Sequence, residues 1–194
     1  MDHAPELRGL VGEPEKVDIV VVDYDPGWPR RFEVERQRIM RALGGRALTV
    51  DHVGSTSVPG LAAKPIIDIN LAVADSSDEG SYAPDLVAAG YELRVREPEW
   101  FEHRMFRTSR HDVHVHVFSA GSPEFARVRV FRDWLRAHDD DRELYASTKR
   151  ALAQRDWPTM QHYADAKGQV VEEIMSRALA STALHADVDP RARQ

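Results

Sequence analysis

The stretch HVGSTSVPGLAAKPIIDIN, residues 52–70, gathers residue types that bind phosphate and metal. Gly54 permits close backbone approach, and N–H groups exposed at such a break can form a nest for phosphate oxygens. The hydroxyls of Ser55, Thr56 and Ser57 add donors, and Lys64 adds a mobile cation. Asp68, within an apolar run, supplies a carboxylate able to hold a metal; Asn70 offers a neutral oxygen ligand. If the runs on either side of the break are neighbouring strands, donors and carboxylate share one cleft. The same Gly, Ser and Pro also serve ordinary turn chemistry, so composition leaves both readings open. Further on, DVHVHVF (112–118) alternates strictly: Val113, Val115 and Val117 face one way, His114 and His116 the other. Paired imidazoles suit Zn, Mn, Fe or Ni better than Mg, and equally suit a hydrogen-bonded sheet edge.

Other cations are weaker candidates. Arg104 and Arg107 could contact a polyphosphate, but their strand register is ambiguous. Arg129, Arg132 and Arg136 form a stripe on one helix face, with Asp133 four residues from Arg129 as an intrahelical partner. Tyr145-Lys149 and Tyr163-Lys167 each put a phenol and an ammonium four residues apart. Lys167 is favoured as a phosphate contact, whereas Tyr145-Lys149 reads as a lysine stem packed on a ring. His52 reads equally as packing or as support for the loop.

These residues need elements to hold them. VDIVVVDY (17–24) reads as a strand and residues 26–43 as a helix, capped by Asp25 with Pro26 in its first turn and stopped at Gly44-Gly45. Strands are expected at 47–54, 64–73, 91–95, 103–108 and 112–118, with a short helix at 83–89. From Pro123 the chain turns helical, with helices near 123–137, 140–154 and 159–181. Trp28, Trp134 and Trp157 are assigned to helix packing. The outline is α+β: one domain at 17–182, its sheet part at about 17–120 and its helical part at about 121–182. A loose N-terminal tail (1–16) and a disordered C-terminal tail (183–194) flank it.

Bulk properties narrow the classes. With 42% hydrophobic and 30% charged residues, the 194-residue chain has the composition of a globular domain. The absence of cysteine, of a signal-like N-terminus and of any long apolar run points to the cytoplasm, with no membrane partner. A net charge of −6 disfavours nucleic acid, while local arginines suit a small polyanion. Oligomeric state is left open.

Gly54-Ser55, twelve residues (56–67), then Asp68 resembles the signature of the nucleotidyltransferase superfamily. The string HVGSTSVPGLAAKPIIDI resembles the GrpB family (UPF0157-type), which is placed in that superfamily. So do DYDPGWPRRFEVER (23–36), DVHVHVF (112–118), VFRDWLRAH (130–138), ELYASTKRALA (143–153) and YADAKGQVVEEI (163–174). The resemblance implies a nucleotidyltransferase-like mixed sheet flanked by helices, with a helical bundle beside it. It implies an NTP or other phosphorylated small molecule as ligand, held with a divalent metal, Mg²⁺ or Mn²⁺, with Zn²⁺ admitted by the histidines. Asp68 would be the principal metal ligand and a catalytic residue. Gly54 and the loop to Ser57 would cradle phosphate, with Lys64, Arg104 and Lys167 as further contacts. The family pattern calls for two acids after the glycine-serine pair and a third on a later strand. Here the second position is Asn70, and His114 and His116 stand on the later strand. Either His116, beside His114, replaces an acid as metal ligand or base, or the site binds a nucleotide or coenzyme-A-related ligand without transfer. The family includes proteins fused to dephospho-CoA kinase, which fits the second alternative.

Overall fold

Alternating strands set the sheet. In the computed structural model, which describes residues 9–188 apart from 14, 16 and 17, five strands form one mixed sheet in the order β1-β2-β5-β4-β3. They are β1 (Thr49–Val53), β2 (Ile67–Val73), β3 (Tyr91–Glu97), β4 (His103–Thr108) and β5 (Val113–Ser119). Only β2 and β5 run parallel; the other neighbours are antiparallel. The expected α+β class holds.

One sheet face is apolar. Ile67, Ile69 and Leu71 on β2 meet Val113, Val115 and Val117 on β5, all essentially excluded from water. Helices α1 (Trp28–Leu43) and α2 (Ala83–Ala88) close over this face through Trp28, Ile39, Leu43 and Leu86. Within this core, Tyr91 donates to Glu35 Oε2 at 2.6 Å, and Arg38 approaches the same oxygen at 3.2 Å. Tyr91→Phe is therefore expected to cost about 1 kcal/mol, read as a lower urea midpoint. An unchanged midpoint would mean that Arg38 alone satisfies the carboxylate.

The opposite sheet face belongs to the C-terminal helices: α3 (Pro123–Ala137), α4 (Asp139–Ala153), α5 (Met160–Ala166) and α6 (Gly168–Val188). A second apolar cluster joins Leu135, Tyr145, Ala146, Val170 and Ile174 of these helices to Val58, Leu61 and Ala62 of the 54–66 loop. The loop's apolar second half thus plugs into the helices while its polar first half stays at the sheet. The arginine stripe docks α3: Arg132 donates to the His52 carbonyl at 3.0 Å, and Arg136 to the Ser57 carbonyl at 2.8 Å. Arg129 lies 3.3 Å from Asp51.

Several expectations are corrected. The β-branched run at 18–24 is not a strand; it makes one isolated bridge, Val22 to Ala63, because the backbone it meets is itself a loop. Helix α1 starts at Trp28, with Asp25 Oδ1 accepting from Gly27 N at 2.7 Å instead of capping the helix directly. The tail is not loose where described: Leu10 bridges Val95 on the β3 edge, and Val11 donates to the Arg94 carbonyl at 2.8 Å. The helix expected at 159–181 divides at Lys167 into α5 and α6, and α6 continues to Val188, past the expected end at 181. The remainder of both expected tails, 1–8 and 189–194, lies outside the described residues. Among the described residues, no helix is long and apolar enough to cross a membrane.

Candidate functional site

The strand register brings the sequence candidates together. Val53 of β1 sits opposite Asp68, which itself neighbours His114; Asn70 neighbours His116. Asp68, His114 and His116 therefore project from one face, toward the C-terminal helices. His114 Nδ1 lies 3.6 Å and His116 Nε2 3.9 Å from Asp68 Oδ1. One ligand atom from each can be chosen so that all three lie within 4.8 Å of one another. Burial alone would push the Asp68 carboxyl up, but the imidazoles of His114 and His116 beside it outweigh burial and hold the group below the ordinary carboxylate range. A carboxylate oxygen and two imidazole nitrogens fit Zn²⁺, Mn²⁺ or Fe²⁺, and suit the oxygen-demanding Mg²⁺ poorly.

A cavity of about 370 Å³ opens beside this group, walled by the 54–66 loop on one side and by α3, α4, α5 and α6 on the other. Its size falls within the range of small-molecule sites. Lys64, Lys149 and Lys167 converge on it. Lys64 and Lys167 lie over Tyr163, 5.3 and 4.8 Å from its ring centre, and Lys149 lies 4.5 Å from that of Tyr145. Burial, then the charge of Lys167, pushes Lys149 down to about 7 and Lys64 down to about 8. Arg127 and Arg132 also reach the wall, but each is paired with a carboxylate, Glu124 and Asp133 respectively. Tyr163, only 1% exposed, has a hydroxyl without a hydrogen-bond partner among the described residues.

Lys149 is the residue that sequence reasoning passed over. Its amine donates to Ser55 Oγ at 2.9 Å and to the Ala62 carbonyl, so it pins both ends of the loop. The i, i+4 spacing from Tyr145 is explained by ring packing, which is present; nothing in the spacing shows that the amine reaches past the ring.

Of the other candidates, Thr56 lines the cavity, whereas Ser57, Asn70, Arg104 and Arg107 do not. Arg104 lies opposite Val117, on the α1 and α2 face, where it is 5% exposed and bound to Glu79 at 2.6 Å and Glu102 at 3.2 Å. Arg107 pairs with Glu15 at 2.7 Å and Glu92 at 2.6 Å. Thr56 Oγ1 donates to the Ile66 carbonyl at 3.1 Å, and Ser57 Oγ to the Gly54 carbonyl at 2.6 Å. Those two hydroxyls lock the loop, and Ser55 is the loop hydroxyl held beside the lysines. Asn70 is 2% exposed and does not line the cavity; its Nδ2 finds no partner among the described residues. His52 is a support: its ring stacks on Phe32 at 4.7 Å, its Nε2 lies 3.1 Å from Thr56 Oγ1, and burial pushes it down to about 4.

Comparison with known proteins supplies a frame for this site. The profile of the family described as GrpB protein matches residues 18–177. A UPF0157 protein of Halalkalibacterium halodurans is 57% identical over 173 residues, spanning 88% of this chain and 89% of that protein. The crystal structure of conserved protein GrpB from Enterococcus faecalis superposes with a TM-score of 0.73 at 31% identity, covering 84% of this chain and 99% of that one. A dephospho-CoA kinase of Mycolicibacterium paratuberculosis is 32% identical over 168 residues, which are 72% of this chain but only 41% of the kinase.

Proposed function

Because the chain belongs to the GrpB family, we propose that its cavity binds a nucleoside triphosphate, or a related phosphorylated small molecule, together with a divalent metal. The observation that carries this reading is the convergence of Asp68, His114 and His116 with Lys64, Lys149 and Lys167 in one cavity. Asp68 and the two histidines would hold the ion, whose chemistry is to neutralise charge on phosphoryl oxygens during in-line displacement. Lys64, Lys149 and Lys167 would receive the phosphate oxygens, and Ser55 would orient Lys149. The unpartnered Tyr163 hydroxyl would gain an acceptor from the same ligand. The reaction class that this arrangement serves is nucleotidyl or phosphoryl transfer to an acceptor.

Calorimetry with ATP, CTP and GTP, with Zn²⁺ or Mn²⁺ and then with EDTA, tests the reading. Binding is expected to require the metal. Equal binding in EDTA would favour the second reading, a binding module for a nucleotide or coenzyme-A-related ligand; similarity to part of a dephospho-CoA kinase supports that alternative.

The lysines add a pH signature. A lysine that burial holds down loses its charge as pH rises through its lowered value, here about 7 for Lys149 and about 8 for Lys64. The ligand's phosphates are already ionised above pH 7. Affinity for the phosphorylated ligand is therefore expected to fall between pH 7 and 9, and Lys149→Met to flatten the early part of that fall. A level titration in the wild type would remove the lysines from phosphate contact.

A further inference from the structure

Behind His116 lies a second line of side chains that the cavity itself does not use. Strand β4 alternates like its neighbours. Met105 sits opposite His116, so His103, two residues earlier, shares the cavity face, while Arg104 and Phe106 point to the other. Glu97 of β3 is the direct cross-strand partner of His103. The turn between them passes through Phe101 and Glu102 at φ 54° and 51°, left-handed conformations that return the chain within this short span. The result is a linear series. Glu97 Oε2 lies 2.7 Å from His103 Nδ1, and His103 Nε2 lies 3.0 Å from His116 Nδ1. His116 Nε2, at the far end, faces Asp68 at 3.9 Å.

We propose that Glu97 and His103 are positioning residues that hold His116 with its proton on Nδ1 and the lone pair of Nε2 turned to the cation position. The inference rests on the metal reading of the cavity for its purpose, but not for its geometry. A carboxylate only accepts, so the His103 proton belongs on Nδ1. Neutral His103 then has a bare Nε2, which accepts from His116 Nδ1–H. His116 is left with the single lone pair that a metal ligand needs. The His103 ring cannot readily turn away. It stacks on Phe118 at 4.8 Å, and Trp100 meets it edge-on at 4.9 Å. Among the described residues, His114 has no such hydrogen-bonded series behind it, its strand neighbours being Asp68 and Arg107, so the two histidines differ in how firmly they are aimed.

The test uses the full chain without metal, then with it. Long-range proton–nitrogen NMR correlations report the tautomer of each imidazole. Wild type is expected to show His116 protonated on Nδ1. His103→Leu should lose that signature and weaken Zn²⁺ or Co²⁺ binding about 10- to 100-fold. His103→Gln, whose amide oxygen can occupy the place of Nε2, should restore both. If His103→Leu does not fold, Glu97→Ala at the more exposed end carries the same readout, with a mixed His116 tautomer expected. His116 protonated on Nε2 in the wild type overturns the proposal. So does a folded His103→Leu with unchanged tautomer and unchanged metal affinity. A wild type that binds no metal would sink the metal reading, while the tautomers of the metal-free protein still decide the inference.

Discussion

Asp68→Asn is expected to abolish metal binding and leave the fold standing. The substitution keeps the side chain's shape but discards the one carboxylate among the three groups that can share a cation. Loss of an outer partner costs a metal site about 10- to 100-fold, so loss of a direct, charged ligand is expected to cost at least about 100-fold. The clearest readout is thermal. At a Zn²⁺ concentration 100 times its dissociation constant, the wild type gains about 2.7 kcal/mol from mass action. For a domain of this size, that raises the midpoint by roughly 5–10 °C. With affinity weakened 100-fold, the same Zn²⁺ supplies only about 0.4 kcal/mol, and the shift nearly disappears. An undiminished Zn²⁺ shift in Asp68→Asn would take Asp68 out of the site.

The same variant separates the metal from the phosphate contacts. Asp68 is the carboxylate in a wall that carries Lys64, Lys149 and Lys167. Its neutralisation leaves that wall more positive, so metal-free binding of inorganic phosphate or ATP should strengthen while metal-dependent binding is lost. Opposite changes in two measurements on one variant are hard to attribute to a damaged fold.

The parts of this site that the sequence discloses are those governed by strict local periodicity. The alternation of 113–117 fixes which face of β5 holds the imidazoles, and the burial of Val113, Val115 and Val117 against the helices agrees with it. Gly54, Ser55, Lys64 and Asp68 share a cavity, as their break between two strands implies. What could not be read depends on pairing between distant segments. HRMFRT alternates without saying which set of residues faces the helices; its register on β5 decides that, and sends Arg104 to the far side. A bulge between Leu93 and Val95 then reverses the faces of β3, which is what brings Glu97 to His103. The reach of Lys149 depends on where the 54–66 loop is plugged into the helices, a tertiary fact with no local signal. The described part of VDIVVVDY, 18–24, failed for the converse reason: its strong strand propensity meets no sheet edge among the described residues, and propensity without a partner does not make a strand.

Gly54→Ala is expected to damage stability and site together, because the glycine and Asp68 occupy one space. Gly54 sits at φ 66°, ψ −173°, a region essentially reserved for glycine and costing about 1–3 kcal/mol for other residues. A Cβ there would also lie 2.4 Å from Asp68 Oδ2, 2.9 Å from its Cβ and 3.0 Å from its Cγ. The terminal oxygen can swing away; the Asp68 Cβ is fixed to β2 and cannot. The variant should therefore lose several degrees of thermal midpoint, and its displaced carboxylate should reproduce the Zn²⁺ defect of Asp68→Asn. Gly45→Ala is the control, since a Cβ there meets nothing within 4 Å. Combining Gly54→Ala with Asp68→Ala removes the closest collision but leaves the backbone strain and the contact with Cβ. The pair should thus be less destabilised than the sum of the single variants, as expected of residues in direct contact. Strict additivity, or a Gly54→Ala protein with full Zn²⁺ affinity, would mean that the glycine serves the loop alone. Sub-additive loss would show why the carboxylate is found beneath a residue without a side chain: its position facing the two imidazoles depends on that empty space.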